Sequence, residues 1–533
     1  MSPEDKKPAV EETDQADPNK VRLTINDQDV VVDKGTNLIE AARSIGVEIP
    51  HFCYHPGLEI VAVCRQCLVE VKGMPKLVPG CQTIAGDGME VFTASEKATD
   101  AQRQQLEFTL LNHPIDCPIC DQVGECELQR LYFDYDCQPA RHDLAREPQK
   151  KRVPIGPRVV MDEERCILCW RCIRVCDEVA GVHDLDLKER GHATFVSTAP
   201  GRSLDNDYSL CTVDQCPVGA LTEKAFRFDT RAYRLSSVDS ICPGCATGCH
   251  IELHTYGGTI RRTKPRFCEE VNRWWMCDDG RYIFADYATD RADSARVDGK
   301  DVTLEDGLAA AAEALDGVTG EELIVLVSAR LSTETMYAVK QLVGQLEGAQ
   351  IFGTGRPNWE GDEVLKSADR NPNSAGLALV FGEDLGSPED LEQRLSSGTV
   401  EVALCLDEKT TNPDTLADVK NVISLVHRFA GIGKTSRVVL PMAAWCEIDG
   451  SFVNAGGQVG RFHPAVDAPG DALPGWVLVD RLADAAGKGL DLGGTAREIY
   501  AAASDDLGAQ VLPADRFGPT IPAVLLRFAN SRG

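Results

Sequence analysis

Residues 165–176 read RCILCWRCIRVC. Their cysteines, Cys166, Cys169, Cys172 and Cys176, are spaced C-x2-C-x2-C-x3-C. In a chain expected to stay in a reducing compartment, such a run reads as metal ligation or redox chemistry. A distant Cys-Pro pair, Cys216-Pro217 in CPVGA, completes the pattern. Cys166, Cys169, Cys172 and Cys216 then make one four-thiolate set suited to a [4Fe–4S] cluster. A second cluster here would need Cys176 plus three more ligands, and only Cys211 lies nearby. Cys176 and Cys211 are therefore expected to be buried thiols. Arg165, Arg171 and Arg174 crowd the same stretch. Cations there either offset thiolate charge or form surface salt bridges.

Three more sets flank this one. Upstream, HPIDCPICDQVGEC carries His113, Cys117, Cys120 and Cys126 at spacing H-x3-C-x2-C-x5-C. His113 stands where a fourth ligand is missing, with Cys137 as the alternative. Imidazole in place of thiolate removes negative charge and raises a cluster's potential, as in Rieske centres. Nearer the start are Cys53, Cys64, Cys67 and Cys81, spaced C-x10-C-x2-C-x13-C. This set suits a [2Fe–2S] cluster, although the first gap is longer than the plant-type ferredoxin C-x4-C. Downstream, CPGCATGC supplies Cys242, Cys245 and Cys249, with Cys277 preferred over Cys268 as the fourth ligand of another [4Fe–4S] set. Any one set could hold structural zinc. Fifteen cysteines and one histidine in four successive sets read instead as a relay of one-electron carriers, since zinc has no redox chemistry.

The remaining composition agrees. The chain has 533 residues and 21 cysteines, of which only Cys405 and Cys446 fall after residue 277. Lys+Arg 55 against Asp+Glu 83 gives a net charge of −28, which excludes nucleic acid or anionic lipid as the main ligand. Hydrophobic content of 43% is ample for buried cores. The apolar runs are far shorter than the ~20 residues of a membrane span. Residues 1–19 are polar and acidic, with no signal-peptide core, and are expected to be a disordered tail.

Strand, turn at Asn26-Asp27, strand is expected in VRLTINDQDVVVDKG, followed by a short helix over 37–45 and strands at 68–71 and 89–94. Residues 97–112 have helical spacing, with Leu106, Leu110 and Leu111 on one side. The polar stretch 141–152 is expected to be a linker. The back half alternates differently: helices over 307–315 and 334–346, and short apolar strands at 323–327, 377–381, 402–406 and 422–426. That alternation predicts α/β structure with a parallel sheet. Gly431–Ser436 (GIGKTS) fails as a dinucleotide fingerprint or P-loop, and no catalytic residues stand out.

Taken together, the four sets resemble the large iron–sulfur subunit (the G subunit) of bacterial NADH-quinone oxidoreductase, respiratory complex I. The resemblance is carried most specifically by HPIDCPICDQVGECELQ (113–129), then by RCILCWRC with CPVGAL, and by CYHPGLE with CRQCLVEV. It covers residues 21–290 strongly. The segment VVLPMAAWCEIDGSFVNAGGQVGRFHPAV (438–466) is similar to molybdopterin oxidoreductases in degenerate form. Neither Cys405 nor Cys446 falls where a working enzyme's metal-ligating cysteine would be.

The resemblance implies a multidomain α+β and α/β chain. The expected order is a 1–19 tail, a 20–98 [2Fe–2S] ferredoxin-like (β-grasp) domain and a 99–138 [4Fe–4S] domain with one histidine and three cysteine ligands. A 139–235 [4Fe–4S] ferredoxin-like domain and a 236–292 [4Fe–4S] domain follow, then a 293–533 degenerate molybdopterin-oxidoreductase-like domain without molybdopterin. It implies one [2Fe–2S] and three [4Fe–4S] clusters in an electron-relay subunit of a proton-translocating NADH:quinone oxidoreductase, passing single electrons from the flavin subunit toward quinone. The His113 and Cys166–Cys216 clusters would lie on the main path, the [2Fe–2S] cluster beside it and the Cys242–Cys277 cluster farther off. Partners would be the flavin/NADH-binding subunit and ferredoxin-like subunits of the peripheral arm, on the cytoplasmic face of the inner membrane. Alternatives are the relay subunit of a soluble NAD-linked hydrogenase or formate dehydrogenase, or a multi-zinc structural protein.

Overall fold

A computed structural model of the chain describes residues 17–136, 141, 143, 145–346, 348–407 and 413–507. Cys137 and most of the expected acidic tail lie outside the described residues. The predicted hairpin forms between Lys20–Ile25 and Gln28–Asp33, with Ile25 opposite Gln28. Asn26 and Asp27 both take positive φ, 49° and 62°. This is the two-residue turn geometry that matches strand twist and that Asn and Asp tolerate. Val21, Leu23, Ile25, Val30 and Val32 point inward. Helix Leu38–Ser44 covers them with Leu38, Ile39, Ala41 and Ala42, and Asn37 caps it by accepting from Glu40 N.

The first sheet runs Gln28–Asp33, Lys20–Ile25, Glu90–Phe92, Leu68–Val71, Val78–Pro79. Its central pair, Lys20–Ile25 and Glu90–Phe92, is parallel, so this is a mixed, β-grasp sheet under one helix. Helix Glu96–Leu110 leads on; Leu106 is fully buried, whereas Leu110 and Leu111 are only half-buried. A two-stranded antiparallel pair, Leu185–Lys188 with Phe195–Thr198, and two three-stranded antiparallel sheets follow. One joins Leu221–Glu223, Val159–Met161 and Val153–Pro154; the other is a meander of Ser236–Ile241, His250–Tyr256 and Thr259–Pro265.

The back half is built on an eight-stranded sheet. Six strands are mutually parallel, in the order Val438–Pro441, Asn421–Val426, Val402–Leu406, Leu323–Ser328, Gln350–Thr354, Leu385–Gly386. A hairpin of Ala295–Val297 and Lys300–Val302 adds an antiparallel edge. Every residue of Leu323–Ser328 and Val402–Leu406 is buried, as expected for strands covered on both faces. Val325, Val327, Leu404 and Leu406 pack with helices Leu304–Leu315, Thr333–Val343 and Gly475–Ala485 on one face; Ile324, Leu326, Ala403 and Cys405 form the other. Residues 377–381 depart from expectation: they lie in helix Ser374–Phe381, not a strand. A short apolar run is compatible with either form. Burial of Gly376, Leu377, Val380 and Phe381, with Ala378 and Leu379 exposed, follows the helical period. No described helix is long and apolar enough to cross a membrane.

Candidate metal centres

Cys53, Cys64 and Cys67 come from the loop after helix Leu38–Ser44, and Cys81 follows strand Val78–Pro79. The four thiols are neighbours, Cys53 near Cys64 and Cys81, and Cys67 near Cys81. Cys53 N also donates to Cys64 Sγ at 3.4 Å. The loop is wound tightly: Ala62 and Arg65 both have positive φ, 50° and 55°. Residues with a Cβ enter that region at a cost and persist mainly around functional sites.

The second set sits on a loop before helix Glu127–Leu131. Cys120 is buried and Cys117 and Cys126 are half-buried. Burial pushes the His113 imidazole down to about 4, so it is neutral near pH 7. Its Nδ1 is buried without a hydrogen-bond partner. A neutral ring nitrogen with no partner is chemically able to act as a ligand, the role the sequence expects of His113 in the set with Cys117, Cys120 and Cys126.

In the third set Cys169, Cys172 and Cys216 are each 8% exposed, and with Cys166 they ring one small cavity. Leu168 and Trp170, on either side of Cys169, have positive φ of 53° and 65°. Burial pushes the Cys169 thiol up to about 12. Thiolates are disfavoured there until a cationic core offsets their charge, so occupancy of this cavity is coupled to proton release. In the fourth set Cys242, Cys245, Cys249 and Cys277 all line one cavity of about 360 Å³. Cys268 does not; it lies near Glu270 on another loop. Among the described residues no three donors are arranged to hold a single metal ion. In the third and fourth sets the thiols ring a cavity rather than surround a point.

The first three sets adjoin one another. A Cβ on Gly219, three residues after Cys216, would lie 2.3 Å from Cys120 Sγ. Glu127 N donates to Pro217 O at 2.9 Å. The second and third sets therefore share a wall that only glycine permits. Arg165 pairs with Asp116 on the His113 loop (2.6 Å), and Arg171 donates to Glu127 and to Tyr54 O. Arg174 donates to Cys53 O and Glu59 O. These three arginines are 4–6% exposed. They are internal braces between sets, not surface salt bridges.

Sequence reading missed the loop 355–373 from the back half, which closes over the fourth set. Thr247 Oγ1 donates to Leu365 O (2.6 Å), Ala246 N donates to Asp369 O (2.9 Å), and Arg356 donates to Pro243 O and Gly244 O. Nothing in RPNWEGDEVLKSADRNPN announces this, because the contacts are backbone-mediated and more than a hundred residues apart in sequence. Cys176 and Cys211 are fully buried; Cys211 Sγ donates to Met276 O, and Cys176 packs in the core of the third set. Cys405 is a core thiol of the large sheet, and Cys446 lies in a short turn, also buried.

Strand order reverses in the large sheet between Leu323–Ser328 and Val402–Leu406, where such sheets bind cofactors at the carboxyl ends of the strands. Here that crevice holds an ion pair. Arg330 and Asp407 meet at 2.9 Å, and Ser328 Oγ and Tyr287 Oη bond to them. The cavity left is about 40 Å³, against several hundred for a bound cofactor. A pterin cofactor does not fit this crevice.

Five family models match, in the order the sequence predicts. They are a 2Fe-2S iron-sulfur cluster binding domain (residues 18–96), the NADH-ubiquinone oxidoreductase-G iron-sulfur binding region (102–141) and the NADH-quinone oxidoreductase subunit 3 ferredoxin-like domain (156–222). A molybdopterin oxidoreductase Fe4S4 domain (235–286) and molybdopterin oxidoreductase (392–485) follow. The chain thus has 2Fe-2S and 4Fe-4S binding domains. Relatives include the NADH-quinone oxidoreductase G subunit of Streptomyces coelicolor, 40% identical over 60% of this chain and 39% of that protein. The NADH-ubiquinone oxidoreductase 75 kDa subunit of Reclinomonas americana is 37% identical over 68% of this chain and 55% of its own length. The NADH-quinone oxidoreductase G subunit of Rickettsia felis is 31% identical over 72% and 59%. The chain therefore spans less than two thirds of the length of these relatives. A solved NAD+-reducing [NiFe]-hydrogenase chain is 30% identical over 39% of this chain and 90% of its own, with a TM-score of 0.36. By its domains and their order, the chain is a relative of the NADH-quinone oxidoreductase G subunits and of the NADH-ubiquinone oxidoreductase 75 kDa subunit.

Proposed function

We propose that this chain is the iron–sulfur electron-relay subunit of an NADH:quinone oxidoreductase. In this reading Cys53, Cys64, Cys67 and Cys81 hold a [2Fe–2S] cluster. Three [4Fe–4S] clusters are held by His113, Cys117, Cys120 and Cys126, by Cys166, Cys169, Cys172 and Cys216, and by Cys242, Cys245, Cys249 and Cys277. When bound, such clusters supply one-electron transfer. The chain's part is to hold them in series, bury them from water and place fixed charge beside them. The observation that carries the reading is adjacency: the second and third sets share the Gly219 wall, and Arg171 and Arg174 tie the third set to the first.

Electrons would come from a flavin-bearing partner and leave through ferredoxin-like partners, in a peripheral arm at the cytoplasmic face of the inner membrane. The filled switch-point crevice supports a back half without molybdopterin. Visible absorption, electron paramagnetic resonance, and iron and acid-labile sulfide assays on anaerobically purified protein test this. The expected stoichiometry is one [2Fe–2S] to three [4Fe–4S], without molybdenum. A colourless, zinc-loaded protein overturns the relay, and stoichiometric molybdenum overturns the reading of the back half.

A further inference from the structure

Among the described residues seven arginines are buried: Arg165, Arg171, Arg174, Arg262, Arg281, Arg330 and Arg356. Five of them pair with a carboxylate, namely Asp116, Glu127, Glu125, Asp214 and Asp407 in that order. Arg174 and Arg356 do not. Among the described residues their side chains meet only backbone carbonyls. Arg174 donates to Trp170 O, Glu59 O and Cys53 O. Arg356 donates to Pro243 O, Gly244 O and Arg370 O, while its Nε is buried without a partner.

A buried guanidinium held by neutral carbonyls has no carboxylate in direct contact to offset its charge; Glu178 acts on Arg174, and Asp407 on Arg356, only from beyond ion-pairing distance. The two exceptions share a location. Arg174 lies between the first and third thiol sets, bonded to the carbonyl of Cys53 and two residues from Cys172. Arg356 lines the Cys242–Cys277 cavity and bonds the carbonyls between Cys242 and Cys245. Arg370 lines the same cavity, also without a carboxylate partner among the described residues, over the face of Trp359 at 4.7 Å.

Resting on the cluster assignment above, we propose that Arg174 and Arg356 are positioning residues whose missing counter-charge is the thiolate-bound clusters, and that they raise the potentials of the sets they face. One electron added to a cluster makes it one unit more negative. A fixed cation in a buried site favours that reduced form, and net charge is one of the levers on a cluster's potential. The braces Arg165 and Arg171, already neutralised by Asp116 and Glu127, lack this effect.

The test is a mediated redox titration of full-length, anaerobically purified protein, followed by paramagnetic resonance with iron content measured on the same samples. Arg356→Gln is expected to lower the midpoint of the Cys242–Cys277 cluster and leave the Cys53–Cys81 cluster where it was. Arg174→Gln is expected to do the reverse, lowering the Cys53–Cys81 or Cys166–Cys216 signals and sparing the Cys242–Cys277 one. Arg356→Lys should restore most of the lost potential. Unchanged midpoints at full iron content, or equal shifts of all signals in each variant, overturn the proposal. Should Arg356→Gln lose iron from its own set, Arg370→Gln decides: it removes a second unpaired cation from that cavity without touching the Arg356 side chain, and an unchanged midpoint there overturns the role of cationic charge. Cys249→Ala keeps the two levels of inference apart. If it costs no iron, the cluster assignment fails, whatever the arginines do.

Discussion

Strand Leu323–Ser328 buries all six of its residues against other side chains. The loops that carry Cys53–Cys67 and Cys166–Cys172 bury sulfur, arginine and backbone in left-handed conformations. The contrast runs through the whole molecule. The back half is a two-faced parallel sheet whose core is continuous and aliphatic, able to stand on hydrophobic burial. The described front half has four small sheets, and one of its cores contains Cys53, Cys169, Cys172 and Cys216 among its apolar members. A core made partly of ligands is complete only when the ligands have something to bind.

The sharpest way to break that comparison is to remove the metal. Growth under iron limitation, or chelation under reducing conditions, should leave the amides of residues 53–81, 117–126 and 166–176 open to hydrogen exchange. The amides of Leu323–Ser328 and Val402–Leu406 should stay protected. This is the largest expected effect, because folding of ligand loops and occupancy of their sites are one equilibrium. Equal protection of both halves in the iron-free protein would show that the front half folds on its apolar residues alone.

A smaller lesion tests the wall between two sets. Gly219→Ala places a methyl 2.3 Å from Cys120 Sγ, closer than any real contact allows, so either Cys120 or the CPVGA turn must move. Iron should fall by about the content of one [4Fe–4S] cluster, with the Cys53–Cys81 signal kept. Full iron content in the variant would show that the second and third sets are not rigidly apposed. The matching lesion in the back half is Leu404→Ala, at a position with no exposed surface. It should cost roughly 2–5 kcal/mol in unfolding of the large sheet, with iron content unchanged. Iron loss in that variant would mean that the two halves unfold as one unit.

The same contrast decides what could be read beforehand. Ligand spacing is local, so HPIDCPIC and RCILCWRC identify the sets in the sequence, and the back-half strands at 323–327, 402–406 and 422–426 show as apolar runs. Residues 377–381 defeated that reading, because SAGLALVF suits helix or strand until Asn373 and Leu377 have neighbours. The left-handed residues Ala62, Arg65, Leu168 and Trp170 leave no trace in composition, since the winding of the chain around each set imposes them. The carbonyl cradle of Arg356 was equally illegible: its acceptors are main-chain atoms of a distant loop. The arginines near Cys166 were visible as charges, but only the fold separates Arg171, paired with Glu127, from Arg174, which has no carboxylate at ion-pairing distance among the described residues.

The smallest effect isolates the back half by pH. Glu334 begins helix Thr333–Val343 and is 2% exposed; its carboxylate accepts from Ser451 N and Ser451 Oγ, tying the helix to strand Gly450–Val453. No cation pairs with it among the described residues. The nearby Tyr500 is itself pushed up to about 12, chiefly by burial, and stays neutral over the range in question. Burial pushes the Glu334 carboxyl up to about 7 from 4.5, against the pull of the Ser451 bonds. A folded-state value above the unfolded one means that the fold holds the proton more tightly. The stability this contributes is complete below pH 4.5 and is lost as pH rises through 7. Glu334→Gln fixes the neutral form and keeps one acceptor for Ser451. Exchange of the Thr333–Val343 amides should therefore show variant and parent alike near pH 5, with the variant more stable by about 1–3 kcal/mol at pH 8. Iron content should not change at either pH. A parallel pH dependence in the two proteins would mean that Glu334 is ionised in the fold across the range, its charge carried by the Ser451 hydrogen bonds and the helix N-terminus.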